Sequence, residues 1–315
     1  MDPLVDVLTL LDARSRFSSR FAAGCEPWRV DFDRPDGLKF NAVLTGNCLL
    51  AVDGLEPMAI GAGDCYLLTR PQPFVLASAL SAPPVAAAEV FARPADGAAL
   101  VGCAPGEDPA FTALGGSFTF SGPAARLLDA LPPVLLVPSG AAASDGLGET
   151  LASIDRELRQ GLPGGSLIAQ HLAIAMLVRM VRRHLAHDSA LPQGWLRGLA
   201  DPAVSAALGA IHDAPEYGWT VADLAHAGRV SRSTLAQRFR DTVGTGPIEY
   251  LIEWRMELAS RQLALSTDSI ARVGRRLGYA SESAFSAAFK RIHGEAPSHH
   301  RSRRQAARAD RVGST

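Results

Sequence analysis

The chain has 315 residues, 47% of them hydrophobic and 20% charged, with a formal net charge of −1. Such a length suits two or three domains, and the apolar content can fill a real core, which excludes wholesale disorder. No apolar run approaches the ~20 residues of a membrane span, and Met1-Asp2-Pro3-Leu4-Val5-Asp6 puts acid where a secretory signal carries base, so the expectation is a cytoplasmic protein with no membrane partner.

The four cysteines, Cys25, Cys48, Cys65 and Cys103, form no C-x-x-C pair and have no histidine at zinc-ligand spacing. Reduced, structural thiols are the expectation. Charge is sorted along the chain. Residues 1–194 hold 14 basic and 20 acidic side chains, whereas residues 195–315 hold 17 and 12. That asymmetry suits one domain that meets a polyanion and one that does not.

In chain order, Leu4, Val7, Leu8 and Leu11 have helical spacing within residues 3–17. From Trp28 to Val90 the pattern is of short strands: Leu38–Thr45, Cys48–Val52, Met58–Ile60, Asp64–Leu68 and Phe74–Ala77. Gly46-Asn47 and Asp53-Gly54 punctuate them as hairpin turns. Strands so spaced predict an antiparallel barrel or sandwich. From about Ala124 the pattern becomes helical, over Ala124–Leu131, Gly148–Gln160 and Gly165–Ala186. In the last of these Leu167, His171, Leu172, Ala175, Val178 and Arg179 share helical spacing. That helix packs on the strands or joins two copies of the chain. His187–Gly194 reads as a linker, all beyond Trp195 as short helices, and Arg301–Arg311 as a basic tail with a mobile end.

The last third contains a repeat offset by 50 residues. Ser231 matches Ser281, Ser233 matches Ser283, and Leu235, Phe239 and Arg240 match Phe285, Phe289 and Lys290. Gly244 and Pro247 match Gly294 and Pro297. Thr220 caps a first helix with Asp223 as its reciprocal partner. A turn through Gly228 leads to Ser231, which caps a second helix. Leu235 and Phe239 lie one turn apart and face inward together. Ser233, Gln237 and Arg240 lie opposite them. In the second copy Phe285 and Phe289 face inward and Ser283, Ala287 and Lys290 outward. Pro247–Leu263 forms one helix between the copies. Two short helices, the second with a small polar outer face, describe a helix-turn-helix that can lie in a major groove. A scaffolding solenoid is the competing reading, but it needs three or more copies.

These residues resemble the DNA-binding region of AraC/XylS-type transcription regulators over Asp201–Arg304. The resemblance rests on Leu224-Ala225, Ser231, Leu235, Phe239, Gly244, Pro247, Tyr250-Leu251, Arg255 and Ala259, and then on Ile270, Val273, Gly278-Tyr279, Ser281, Phe285, Phe289-Lys290, Gly294, Pro297 and Arg301. Two positions depart from the family. Arg229 stands in the first turn, where the family often has Gly or Asn. Gly274 replaces the usual Ala at ~1 kcal/mol of helix propensity while keeping the position small.

The resemblance implies two recognition helices entering successive major grooves of double-stranded DNA. Carried over by position, Arg232, Ser233, Ala236, Gln237 and Arg240 face bases from the first, and Glu282, Ser283, Ser286, Ala287 and Lys290 from the second. Ser231 and Ser281 cap helices and touch phosphate, and phosphate is the alternative contact for Arg240 or Lys290. Gln and Arg make bidentate base pairs, so the first helix carries the better readers. Homodimerisation, and RNA polymerase as a partner if the protein activates, are further implications.

Gly61-Ala62-Gly63-Asp64 before an apolar strand and Pro71 is similar to the second conserved block of cupin barrels. Cupin enzymes hold a metal with His and Glu. Here the His slot falls on Phe74 and the Glu slot on Lys39, and residues 1–170 contain no histidine. The expectation is therefore no metal, no cofactor and no catalytic residue, but a sensor for an unknown small-molecule effector. Phe40, Asn41 and Phe74 are its candidate contacts, although Phe40 and Asn41 lie on opposite faces of one strand. A metal-dependent cupin enzyme and a constitutive DNA-binding protein with a purely structural barrel are the alternatives.

The expected architecture is α+β: a cupin-like antiparallel barrel with flanking helices, then an all-α double helix-turn-helix. Residues 1–130 form the cupin-like domain, 131–187 a helical and dimerising segment, 188–200 the linker, 201–304 the DNA-binding domain and 305–315 the mobile tail.

Overall fold

A computed structural model describes residues 3–10, 14–17, 20–92, 98–103, 107–119, 131–140, 146–187 and 193–312. The chain divides into two compact units. One comprises residues 13–120 and 131–188; the other comprises 1–12, 121–130 and 189–315.

The first unit is built on two sheets. Strands β1 (Arg14–Phe17), β2 (Arg20–Ala23), β4 (Leu38–Thr45), β7 (Cys65–Leu68), β10 (Ala98–Val101), β11 (Phe111–Thr119) and β12 (Val134–Val137) form the larger. Its order is β10-β2-β11-β4-β7-β12, with β1 also paired to β11. Strands β3 (Arg29–Phe32), β5 (Asn47–Val52), β6 (Met58–Gly61), β8 (Phe74–Ala77) and β9 (Pro84–Ala86) form the smaller, in the order β6-β5-β8-β3-β9. The expected single antiparallel barrel is corrected in two respects. The hydrogen-bonded ladder is not one closed ring, and β10–β2 and β3–β9 pair in parallel.

The strand bounds follow turn chemistry. Gly46 and Gly54 take φ of 77° and 79°, conformations open to glycine, and so end β4 and release the chain after β5. Asp64 explains the Gly-Asp block: its carboxylate accepts from the Gly61 N–H at 2.8 Å and the Ser139 N–H at 2.7 Å. The main core draws on both sheets, with Phe21, Val43, Tyr66, Leu68 and Phe111 from one and Val30, Leu50, Phe74 and Leu76 from the other. Helices α3 (Leu147–Gln160) and α4 (Gly165–His187) pack on each other, and α4 also touches β1 and β12.

Helix α4 buries Ala169, Ala173, Met176, Leu177, Met180 and Val181. The face singled out by spacing is another one: Leu167, His171 and Arg179 are exposed, and Leu172, Ala175 and Val178 half-buried. Residues 3–17 divide into helix α1 (Pro3–Leu10) and strand β1. Ser15 and Phe17 alternate with two arginines and pair with β11, so the ladder claims that stretch. The expected helix at 124–131 lies outside the described residues except for Leu131. Among the described residues the remaining helix of this unit is α2 (Ala87–Ala92).

The second unit is helical. Among the described residues it holds α1, α5 (Trp195–Ala200), α6 (Pro202–Asp213), α7 (Val221–Ala227), α8 (Arg232–Val243), α9 (Pro247–Leu265), α10 (Ile270–Arg276), α11 (Glu282–His293) and α12 (Pro297–Val312). Two expectations change. The expected linker contains α5, which buries Trp195 and Leu196. The expected mobile tail is helical as far as Val312. The Ser260 hydroxyl and His300 Nε2 are 2.9 Å apart, and His300 Nδ1 lies 2.7 Å from Glu295, which ties α12 to α9. That chain has the order of a hydrolase relay, but Ser260 is 2% exposed, so the hydroxyl is out of a substrate's reach.

Helix α9 serves two cores. Tyr250, Leu251 and Trp254 are buried near its start; Met256, Ala259 and Leu263 pack with Val273, Leu277, Phe285 and Phe289. Helix α1 packs on α6 and α9. Within this unit, His212 stacks on Trp254 at 3.9 Å, meets the Tyr250 hydroxyl at 2.9 Å and lies 3.4 Å from Asp6.

Candidate nucleic-acid interface

Each copy of the repeat builds the same local device. Thr220 and Asp223 form a reciprocal capping box at the start of α7. Ser269 caps α10 by accepting from the Arg272 N–H at 3.2 Å. At the second helix of each pair, Ser231 accepts from the Thr234 N–H at 3.1 Å and Ser281 from the Ala284 N–H at 3.2 Å. Gly244 and Gly294 end these helices at φ of 96° and 75°. Pro247 and Pro297 open the helices that follow.

The caps also locate a difference that the offset of 50 hides. Thr220 and Ser269 are 49 apart, whereas Ser231 and Ser281 are 50 apart, so the second turn has one more residue. The Val230 N–H reaches the Ala225 carbonyl, and the Tyr279 N–H reaches that of Gly274. Arg229 therefore corresponds to Gly278. Both are left-handed, at φ of 55° and 81°, and Arg229 is the one non-glycine residue with positive φ among those described.

In α8 Leu235 and Phe239 are fully buried, while Ser231, Arg232, Ser233, Gln237, Arg238, Arg240 and Asp241 are exposed and Ala236 half-buried. In α11 Phe285 and Phe289 are fully buried. Ser281, Glu282, Ser283, Ala287 and Lys290 are exposed, and Ser286 is half-buried. Every candidate base-facing residue therefore lies off the buried stripe of its own helix.

Two partners of this face escape a reading by spacing to the core. The Gln237 amide donates to both carboxylate oxygens of Asp241, at 2.9 and 3.1 Å. The i,i+4 Gln–Asp spacing was the available signal. Arg240 Nε donates to the Ala236 carbonyl at 3.1 Å, and the Arg240 carbonyl accepts from Gln193 at 2.6 Å. With hydroxyls, an amide and a guanidinium on exposed surface, α8 can offer the donors and acceptors that base edges require. Helix α11 offers fewer, and Glu282 adds a negative charge to its first turn.

The three candidate sensor contacts do not share a surface. Phe40 packs edge-on with Phe17 at 5.5 Å and against Phe118 at 4.9 Å. Asn41 points the other way, where its amide donates to the Tyr66 hydroxyl at 2.6 Å in a buried setting. Phe74 lies in the inter-sheet core and stacks on Phe32 at 4.4 Å. Lys39 is on the same side of β4 as Asn41, opposite Leu68 of β7, and burial pushes its ammonium down to about 8. Burial also pushes the Cys48 and Cys65 thiols up to about 12. Among the described residues no group of three His, Cys, Asp or Glu side chains is placed to hold a metal ion.

Similarity to known proteins runs along both units. The Cupin family matches residues 2–186, and a Helix-turn-helix domain family matches residues 224–303. A protein of Streptomyces antibioticus designated an AraC-like transcription regulator is 49% identical over 303 residues, covering 96% of this chain and 98% of its own. A protein of Streptomyces lividans with the same designation is 48% identical over 303 residues, with the same coverage of each chain. The solved DNA-binding domain of AdpA, a global transcriptional factor in complex with a target DNA, is 32% identical at a TM-score of 0.33, over 35% of this chain and 97% of its own. With a Cupin segment followed by a Helix-turn-helix segment, and half its residues shared along nearly its whole length, the chain belongs to the AraC-like transcription regulators.

Proposed function

We propose that the chain is a sequence-specific regulator that reads duplex DNA with two helix-turn-helix units and acts by binding rather than catalysis. The carrying observation is the duplicated capped pair on one shared helix, α9, each with an exposed polar face. Helices α8 and α11 enter successive major grooves. Gln237 and Arg240 supply direct readout from α8, and Arg232, Ser233 and Ala236 complete its face. Glu282, Ser283, Ser286, Ala287 and Lys290 give α11 a shallower surface that reads shape. Ser231 and Ser281 contact phosphate.

The test is binding of the purified protein to its own upstream DNA, at two salt concentrations and with competitor DNA. Specific complexes survive competitor and weaken steeply with salt. Gln237→Ala or Arg240→Ala costs ~1–3 kcal/mol of specific affinity if the side chain reads a base. Unchanged discrimination after both substitutions would refute the assigned face.

The cupin unit acts as the controlling domain in the cytoplasm, through a small effector or a partner. Two features support a homodimer: Leu167 and Ile168 are 57% and 47% exposed on α4, and Leu162 beside them is 58% exposed. Charge placed at Leu167 and Ile168 should then yield monomers in sedimentation. RNA polymerase is the further partner if the output is activation.

A further inference from the structure

We propose that Arg255 is a positioning residue: it clamps the loop of the first helix pair to the turn of the second, and so fixes how far apart and at what angle α8 and α11 meet DNA. The inference rests on the DNA-binding reading above.

Arg255 projects from α9, the helix both pairs share, and is 9% exposed. Its Nε donates to the Pro215 carbonyl at 2.5 Å and its Nη2 to the Tyr217 carbonyl at 2.8 Å. Both carbonyls belong to the loop that leads into α7 of the first pair. That loop is itself held. The Trp219 indole N–H donates to the Ala214 carbonyl at 2.9 Å, and Tyr217 and Trp219 pack edge-on at 4.7 Å.

The same guanidinium lies 5.7 Å from the ring centre of Tyr279, in the turn between α10 and α11. Tyr279 then packs edge-on against Phe285 of α11 at 5.6 Å. The loop and the turn also touch directly. A Cβ added at Gly278 would sit 2.3 Å from the Glu216 carbonyl oxygen and 2.9 Å from Arg255 Nη2. Gly278 is thus required twice, by its φ of 81° and by this approach.

Arginine suits this join for a stated reason. One planar group bridges two carbonyls with divergent N–H bonds while its central carbon lies over an aromatic ring. A lysine ammonium has neither the plane nor the fork. Arg255 gives its hydrogen bonds to backbone carbonyls of the neighbouring loop, and the Glu216 carboxylate of the same loop adds a favourable charge.

Two rigidly linked readers gain from each other's binding, because the second docks at a high effective concentration. Loosening the join should therefore damage binding to a complete site and leave each half-site as it was. The experiment uses full-length Arg255→Lys and Gly278→Ala. DNA affinity is measured on a selected complete operator, on its isolated halves, and on operators whose halves are moved apart or together by one to three base pairs. The expected result is a complete-site affinity about tenfold or more weaker, unchanged half-site affinity and a flattened spacing preference. Wild-type affinity and spacing preference in both variants would overturn the proposal. So would equal losses on half and complete sites, the mark of a merely structural role.

Amide exchange on the free protein separates this from the reading beneath it. The amides of Tyr217, Trp219, Gly278 and Tyr279, each hydrogen-bonded to backbone, should lose protection together in Arg255→Lys while α8 and α11 keep theirs. Unchanged protection at those amides overturns the clamp without any DNA. If the wild type binds no DNA specifically, the regulator reading fails, and the exchange result still decides the clamp.

Discussion

Helix propensity and packing make opposite predictions for Gly274→Ala. Gly274 lies within α10 and is buried. Replacing an interior helix glycine by alanine returns about 1 kcal/mol on propensity alone. The new Cβ, however, would stand 2.9 Å from both Cβ and Cγ of Phe285 and 3.2 Å from its Cδ1. Phe285 is fully buried and already touches Tyr279 and Phe289, with ring centres at 5.6 and 5.9 Å, so it has little room to retreat. Overpacking of this kind costs roughly 1–3 kcal/mol. The net expectation is a loss of about 1 kcal/mol, the middle of that range less the propensity gain.

The first helix pair suggests the compensating change. Its corresponding positions hold Ala225 and Leu235, a larger residue on the short helix and a smaller one on the second. Phe285→Leu should therefore cost about 1–2 kcal/mol alone, and Gly274→Ala should become stabilising by about 1 kcal/mol in that background. The coupling is then about 2 kcal/mol, well above additivity error. Urea unfolding in a Trp28→Phe background would read it, because Trp195, Trp219 and Trp254 then report on the helical unit alone. The steric argument fails if Gly274→Ala shifts stability by the same amount whether Phe285 is intact or replaced by leucine, which is zero coupling.

Three further outcomes are expected. Arg229→Gly should stabilise the helical unit by about 0.5–1 kcal/mol, the left-handed penalty of ~1–2 kcal/mol less the entropy lost by glycine, read by the same unfolding assay. Tyr66→Phe should cost about 1–3 kcal/mol because it strands the buried Asn41 amide, and Asn41→Leu combined with Tyr66→Phe should recover much of that loss. Burial holds the His212 pKa down at about 3, against an ordinary value of 6.5. Between those values the unfolded chain binds a proton that the folded one does not, so stability should fall as pH drops below 6.5, by at most about 1.4 kcal/mol per unit. Unfolding midpoints of wild type and His212→Phe, followed from neutral pH into mild acid, should show wild type losing stability relative to the variant as pH falls; parallel curves would count against it.

The helical unit was largely legible because its signals are local. Caps at Thr220, Ser231 and Ser281, stops at Gly244 and Gly294, and starts at Pro247 and Pro297 each act within one turn of chain. The paired Leu235 and Phe239, or Phe285 and Phe289, then leave only one face for solvent. The clamp at Arg255 was not legible as such, since its partners are backbone carbonyls 40 and 38 residues away and no side-chain pattern marks them. The strand bounds of β4 and β8 could be read from alternation and turns. The side facing the core could not, because Phe40 and Ala42 on one side of β4 are as apolar as Val43 on the other. The register Asn41 to Tyr66 settles it.

Helix α4 is the instructive failure of periodicity. Spacing selected Leu167, His171, Leu172, Ala175, Val178 and Arg179, yet the buried row is Ala169, Ala173, Met176, Leu177, Met180 and Val181. Both rows have helical spacing, because the helix is apolar around most of its girth, and such a helix is ordinarily covered on every side. Sequence pattern therefore marks two faces but cannot rank them. Packing ranks them by residue shape: small Ala169 and Ala173 admit close approach, and flexible Met176 and Met180 fill what remains. The row left outside keeps the bulkier Leu167 and Ile168 in solvent, where an isolated chain gains nothing from them.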